Sequence, residues 1–408
     1  MTATLRSVLV LLVGIFLLMA GSGPLTTLLG VRLEATAAPT AAIGAVMAAN
    51  FAGLTLGSLF AYRVILRAGH IRAFTAFASI LSATALVYPI HLDFGLWGTL
   101  RLIEGFCMAG VYVCIESWLN DCATSETRGK ILALYMSSLY FGQASGQLLL
   151  TAEDRSGFLL FVLISILLSV ALVPVALTRT APPALPAIAS LNLPRLYRAS
   201  PLGIVGTAAA GLILGSLYSL GPVFAGGIGL GLSETAGFMS AAIFGGVLLQ
   251  WPLGRLSDLL DRRQVIVGAF AASILTSLGV IGAAPLHGAA TLAAAALFGG
   301  TVFAFYPLCV AHTNDHLDRS ERIAASGGLV LVYSAGATAG PLIASALMTA
   351  AGPNGLFAYV AAVAALGAGF GLWRMRVRPP VPSERQEAYK ALPQTTPVAA
   401  PLDPRADG

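Results

Sequence analysis

Long apolar runs, broken by short polar stretches, repeat along almost the whole chain. About 20 apolar residues rising about 1.5 Å each cross a hydrocarbon core of about 30 Å. Read on that criterion, the sequence predicts spans at 7–30, 40–62, 71–91, 95–119, 128–151, 156–178, 202–224, 234–254, 264–284, 289–312, 322–349 and 355–376. The first run follows Arg6 and resembles a signal peptide ending near Ala20. A retained span is preferred, because the run continues through Leu25 and Leu28–Leu29. Polar connections are short except for Arg179 to Pro201, where Pro182, Pro183, Pro186 and Pro194 mark a linker. The prediction is an all-α membrane protein of twelve transmembrane helices, with six-helix bundles at 1–178 and 202–376 and the linker at 179–201. The tail at 377–408 is Pro-rich and polar with little to bury, so disorder is expected there.

Composition agrees with this pattern: 57% of the 408 residues are hydrophobic and 10% are charged, against about 25% charged in a soluble domain. The placement of charge adds a direction. Of the 23 Lys and Arg, all but Arg32, Arg101 and Arg155 fall in the termini or the connections that share their side. The positive-inside rule makes that side cytoplasmic and puts both termini there. The net charge of +5 therefore serves topology and the anionic leaflet, and no nucleic-acid partner is expected. Cys107, Cys114, Cys122 and Cys309 form no C-x-x-C pair and read as free thiols.

The halves also share a pattern. Shifted by 194 residues, Gly105 meets Gly299, Tyr112 meets Tyr306, and Asn120–Asp121 meets Asn314–Asp315. Arg128 then meets Arg322, and Gly142 and Gly146 meet Gly336 and Gly340. Chance would supply roughly three or four such identities, but four of these are Tyr, Asn, Asp and Arg, which are scarce in this chain. Two copies in the same orientation are the expectation.

Candidate chemistry is confined to a few places. The connection after the eighth span reads Gly254-Arg255-Leu256-Ser257-Asp258-Leu259-Leu260-Asp261-Arg262-Arg263. On its own it could be a basic turn that only obeys the charge rule. In the first half Val64, Arg67, Gly69 and Arg72 keep the pattern, but Leu66 stands at the acidic position. Within the fourth span Arg101 and Glu104 lie three apart and are helix neighbours. A charge there is costly and faces a partner or a water-filled cavity. Two readings stay open: a functional pair facing a water-filled cavity, or a buried pair holding the fourth span against the first or second. Glu116 reads as a lock on the cytoplasmic gate, with Arg128 as its partner. The run His312 to Asp318 looks superficially like metal ligands, but its repeat counterpart lacks the histidines, so it is read as a helix terminus and no metal is expected. No G-x-x-x-x-G-K-[ST], H-E-x-x-H or G-x-S-x-G occurs, which disfavours an ATP-driven pump or an intramembrane hydrolase.

The loop Gly254 to Arg263 resembles the signature loop of the major facilitator superfamily, with Asp261 replacing its second glycine. Arg101-Leu-Ile-Glu104-Gly105 resembles that family's second motif, with Glu in place of Gln. Gly215-Ser-Leu-Tyr218, Gln250-Trp251-Pro252 and Tyr333 before Gly336 look most like its bacterial YcaD-like branch. The resemblance implies a bacterial inner-membrane secondary transporter, monomeric and without cofactor, in which two bundles rock around a central cavity to move a small-molecule substrate with protons as coupling ion. It places the first, fourth, seventh and tenth spans around the cavity, with Ser22, Arg101, Glu104, Tyr112, Ser216, Tyr218, Thr301 and Tyr306 as polar lining. It makes Gly254, Asp258, Arg262, Arg263, Glu116 and Arg128 the cytoplasmic gate, Asp258 meeting the start of the fifth span. The alternative is a membrane sensor or scaffold that kept the fold and lost transport.

Overall fold

The structure, a computed structural model, describes residues 2–152, 157–177, 193–318, 321–382, 386 and 388–403. The described residues form helices and turns, with no strand among them. In chain order the long helices are α1 (Ser7–Glu34), α2 (Thr40–Ala68), α3 (His70–Val87), α4 (Phe94–Cys122), α5 (Arg128–Gly146), α6 (Leu159–Ala176), α7 (Pro201–Gly227), α8 (Leu232–Leu259), α9 (Arg262–Leu286), α10 (Gly288–Asn314), α11 (Arg322–Ala351) and α12 (Gly355–Val377). Eleven are long and apolar enough to cross a membrane; α5 is the exception. Its 19 residues span about 28 Å, but Lys130, Ser137, Ser138, Gln143 and Ser145 dilute its apolar character. Of the linker, residues 178–192 lie outside the described residues, and Leu193–Ala199 forms a short helix.

The shift of 194 residues is realised as matched packing. A Cβ on Gly105 of α4 would lie 1.9 Å from the Asn50 carbonyl oxygen of α2, and one on Gly299 of α10 would lie 1.9 Å from that of Ala242 on α8. Only glycine lets these backbones approach so closely. Two helices break where proline removes an N–H and its ring opposes the carbonyl four residues back: α6 near Ala171 ahead of Pro174, and α10 at Phe303–Ala304 ahead of Pro307.

The halves meet through α2 with α11, α1 with α7 and α5 with α8. On the face where α1 ends, this contact is tight. Cβ atoms on Gly30 and Gly44 would lie 2.9 Å from Pro222 and 2.4 Å from Ser345. Ser240 of α8 donates to the Ala144 carbonyl at 2.9 Å. The other face, here the basic face, carries the α2–α3, α4–α5, α8–α9 and α10–α11 connections. Leu9, Leu248, Leu275 and Leu366 point outward from the bundle, as a lipid-facing surface requires.

The tail departs from the disorder expected of it. Residues 388–403 fold back beneath the basic face, and Pro397–Leu402 forms a 3-10 helix against α4, α5 and α11. Leu392 and Leu402 are buried there. Residues 383–385, 387 and 404–408 lie outside the described residues.

Candidate functional site

A cavity of about 170 Å³ lies between the halves. Asp93 caps the start of α4, accepting from the Leu96 N–H at 2.7 Å. Arg101 and Glu104 follow two to three turns further in. Their side chains are almost wholly buried and pair at 3.1 Å. Arg101 also donates to the Thr26 hydroxyl of α1 at 3.3 Å, and Thr84 of α3 donates to Glu104 Oε1 at 3.1 Å. These contacts join α1, α3 and α4, so the predicted pair is both a structural tie and a cavity wall. Among the described residues, Arg101 Nε has no hydrogen-bond partner, nor has Gln147 Oε1 on the same cavity. Buried polar atoms left unpaired carry a cost that a bound solute or water would relieve.

Of the predicted lining, Ser22, Arg101, Glu104, Tyr112 and Tyr218 reach this cavity. Tyr112 donates to Met19 Sδ at 3.4 Å, and Tyr218 bridges the halves by donating to Gln143 Oε1 at 3.1 Å. Ser216, Thr301 and Tyr306 do not line it. Ser216 is buried against α11 and donates to the Leu212 carbonyl at 2.7 Å. Thr301 bonds the Phe298 carbonyl at 2.8 Å and lies 3.2 Å from the Thr276 hydroxyl. Tyr306 packs edge-on against Tyr333, 5.4 Å between ring centres, and it is Tyr333 that lines the cavity. The sequence reading overlooked Asn50, Tyr140, Gln143, Gln147, Tyr333 and Ser334. A signal was available for the amides. Asn50, Gln143 and Gln147 are polar residues inside spans, and such residues face the bundle interior. Gln143 and Gln147 also share one helix face.

The predicted gate residues assemble differently from expectation. Arg262 is fully buried and bridges two carboxylates, Asp258 at 3.1 Å and Asp315 at 2.5 Å. Asp261, in the place of the motif glycine, caps α9 by accepting from the Arg263 N–H at 3.0 Å and pairs with the Arg263 guanidinium at 2.7 Å. Burial alone would raise its pKa, but the bonds from Arg263 hold the carboxyl below the usual range. Arg263 also donates to the Arg378 carbonyl at 2.6 Å. Gly254 lies under the Tyr389 ring. Asp258 does not meet the start of α5 here. It accepts instead from Arg262 and, at 2.7 Å, from the Tyr389 N–H of the tail. Glu116 accepts from Tyr135 at 2.8 Å and from the Thr395 and Thr396 hydroxyls, where Arg128 was expected. His312 and Asp315 form no metal cluster, and none occurs among the described residues.

Comparison with known proteins places this architecture. The sequence model of the Major Facilitator Superfamily matches residues 11–308 and 239–403. Relatives from Salmonella typhimurium and Salmonella newport, both named "Uncharacterized MFS-type transporter YcaD", are 31% identical over 367 residues, covering 89% of this chain and 94% of theirs. Among solved structures, the nucleoside transporter NupG superposes with a TM-score of 0.75 at 14% identity, over 93% of this chain and 100% of NupG. A bacterial homologue of the human lysosomal transporter Spinster, in an inward-facing and unoccupied conformation, gives 0.67 at 16% identity over 91% and 97%. At these identities the two structures speak to the fold alone.

Proposed function

We propose that this chain, which belongs to the Major Facilitator Superfamily, moves a small neutral solute by alternating access and couples that movement to protons at Glu104. That it is a multi-pass membrane transporter and not an enzyme follows from the family. The finer reading rests on one observation: among the described residues, Arg101 and Glu104 are the only formally charged ones on the cavity wall, and they neutralise each other at 3.1 Å. A charged solute would enter without a counter-charge, at a cost of several kcal/mol for burial. A neutral solute with hydrogen-bonding groups and a flat apolar face suits the rest of the wall, where Asn50, Gln143 and Gln147 alternate with Tyr112, Tyr140, Tyr218 and Tyr333. A nucleoside has those properties, and NupG is by its title a nucleoside transporter; nucleosides are the first solutes to try.

Protonation of Glu104 would release Arg101 and change the wall from paired to cationic, which is how a proton can alter affinity for a solute. In this reading the basic face is cytoplasmic, the tight α1–α7 and α2–α11 contacts seal the opposite face, and the arrangement is inward-facing. A thermal-shift screen on purified protein identifies the solute. In proteoliposomes with a pH gradient, Glu104→Gln then abolishes accumulation and leaves solute exchange intact. Undiminished accumulation would remove Glu104 from the mechanism. Leu66 at the acidic position, in the last turn of α2, favours the second reading, a sensor or scaffold, and failure of the wild-type chain to move any bound solute would select it.

A further inference from the structure

The two gate carboxylates, Glu116 in the first half and Asp258 in the second, have one partner in common: the tail. We propose that residues 388–403 are an intramolecular ligand of the vestibule on the basic face, a latch that covers the cavity and keeps the halves apart on that side.

The contacts are those of a docked peptide. Thr395 and Thr396 donate to the two oxygens of Glu116, one each. Asn120 Nδ2 donates to the Val398 carbonyl at 2.7 Å. The Tyr389 N–H donates to Asp258 at 2.7 Å, and its ring covers Gly254. Leu402 is 0% exposed and Leu392 4% exposed. Pro393, Gln394 and Thr395 form the basic-face end of the cavity. The segment thus touches α4 in one half and α8 in the other.

Three physical consequences follow. Glu116 is fully buried with three hydroxyl donors, two of them from the tail. Removing the tail leaves Tyr135 as the single donor to this carboxylate among the described residues, an unfavourable arrangement unless water enters. The latch is therefore held by the charge it satisfies. Second, Pro393, Pro397 and Pro401 stiffen the segment, and Thr396 caps its 3-10 helix by accepting from Val398 at 3.2 Å. A pre-ordered peptide loses less entropy on docking. It is also tethered through roughly ten residues to the end of α12, which gives an effective concentration of about millimolar order. Third, closure of the basic face needs the space between α4 and α8 and the carboxylates that line it. The tail occupies both, so docking and closure are mutually exclusive. The latch favours the arrangement in which it is bound and must leave before the halves rock. Its role as a brake rests on the transporter reading; its docking does not.

The test therefore uses no substrate. In a chain with Cys107, Cys114, Cys122 and Cys309 replaced, Ser334→Cys places a reporter on the cavity wall. Purified protein in nanodiscs is treated with a polar maleimide. We expect slow labelling of the full chain, and labelling faster by about tenfold in a chain ending after Pro382, the factor equivalent to about 1.4 kcal/mol of docking. The full-length combination Thr395→Ala, Thr396→Ala and Leu402→Asp should match the truncation, which keeps the test decisive if the shortened chain does not fold. A synthetic peptide of residues 388–403 should slow labelling of either variant. Equal labelling of the full chain and the triple variant would overturn the latch, as would fast labelling that the peptide leaves unchanged. Loss of transport in all forms with the labelling pattern intact would refute the transporter reading and keep the latch.

Discussion

Where α8 turns into α9 a buried arginine sits between two acids; where α2 turns into α3 there is no such arrangement among the described residues. Asp258, Arg262 and Asp315 form a connected network that ties the α8–α9 loop to the end of α10. In the first half Leu66 stands at the acidic position, 67% exposed, and Arg67 and Arg72 are exposed as well. His70 takes the place after Gly69 that Arg262 takes after Asp261, and it packs against the Trp118 ring, 5.8 Å between centres. Asp121, the counterpart of Asp315, is exposed. The helix packing of the two copies is matched at Gly105 and Gly299, while the charged turns beside it have diverged. Close backbone packing tolerates no change, whereas an exposed loop can lose its charges at little cost. What is left is an asymmetric basic face, with a charged and ordered side where the tail's Tyr389 attaches.

The largest effect that would break this comparison is at its centre. Arg262→Met removes the guanidinium that bridges Asp258 and the buried Asp315 carboxylate and should destabilise the protein by about 3 kcal/mol or more. Leu66→Ala, at an exposed site, should stay within about 0.5 kcal/mol. Thermal unfolding in detergent reads both, and an Arg262→Met protein as stable as Leu66→Ala would dissolve the contrast.

A smaller effect sharpens it. Asp258→Asn turns the acceptor for Tyr389 from charged to neutral, a loss of about 1 kcal/mol, so labelling of Ser334→Cys should rise roughly fivefold. Leu66→Asn should leave the rate unchanged. Equal rates for the two would show that the α8–α9 loop has no special hold on the vestibule.

The smallest effect concerns acid. His316, where the first half has Cys122, lies beyond the end of α10 and donates through Nδ1–H to the His312 carbonyl oxygen at 2.8 Å. Burial lowers its pKa, with Arg378 and Arg263 nearby adding to the shift against the His312 bond. The unfolded chain then takes up this proton before the folded one does. Stability is complete above the ordinary histidine value and falls as pH drops below it, by at most about 1.4 kcal/mol per pH unit. Melting curves from pH 7.5 to 5.5 should show the fall, and His316→Asn should flatten it. An unchanged slope in that variant would assign the acid sensitivity elsewhere.

Several features were legible in the sequence because they depend on neighbours along the chain. Apolar run length marked the helices, the 194-residue shift located Gly105 and Gly299, and the spacing of Arg101 and Glu104 put them on one helix face. Ser22, Tyr112 and Tyr218 line the cavity because they lie on the faces of α1, α4 and α7 that converge there. Thr301 and Tyr306 were misplaced by symmetry. The break at Phe303–Ala304 and the interposed Tyr333 make α10 unlike α4 at that level.

The tail lay beyond sequence reading for a more general reason. Composition asks whether a segment can bury a core of its own, and residues 388–403 cannot. It does not ask whether a distant part of the chain offers a surface. Thr396 and Glu116 are 280 residues apart, and no local periodicity encodes such a pair. Helices follow from hydrogen bonds and apolar faces within a few turns; the order of this tail follows only once two bundles have packed and left the buried Glu116 carboxylate in need of donors.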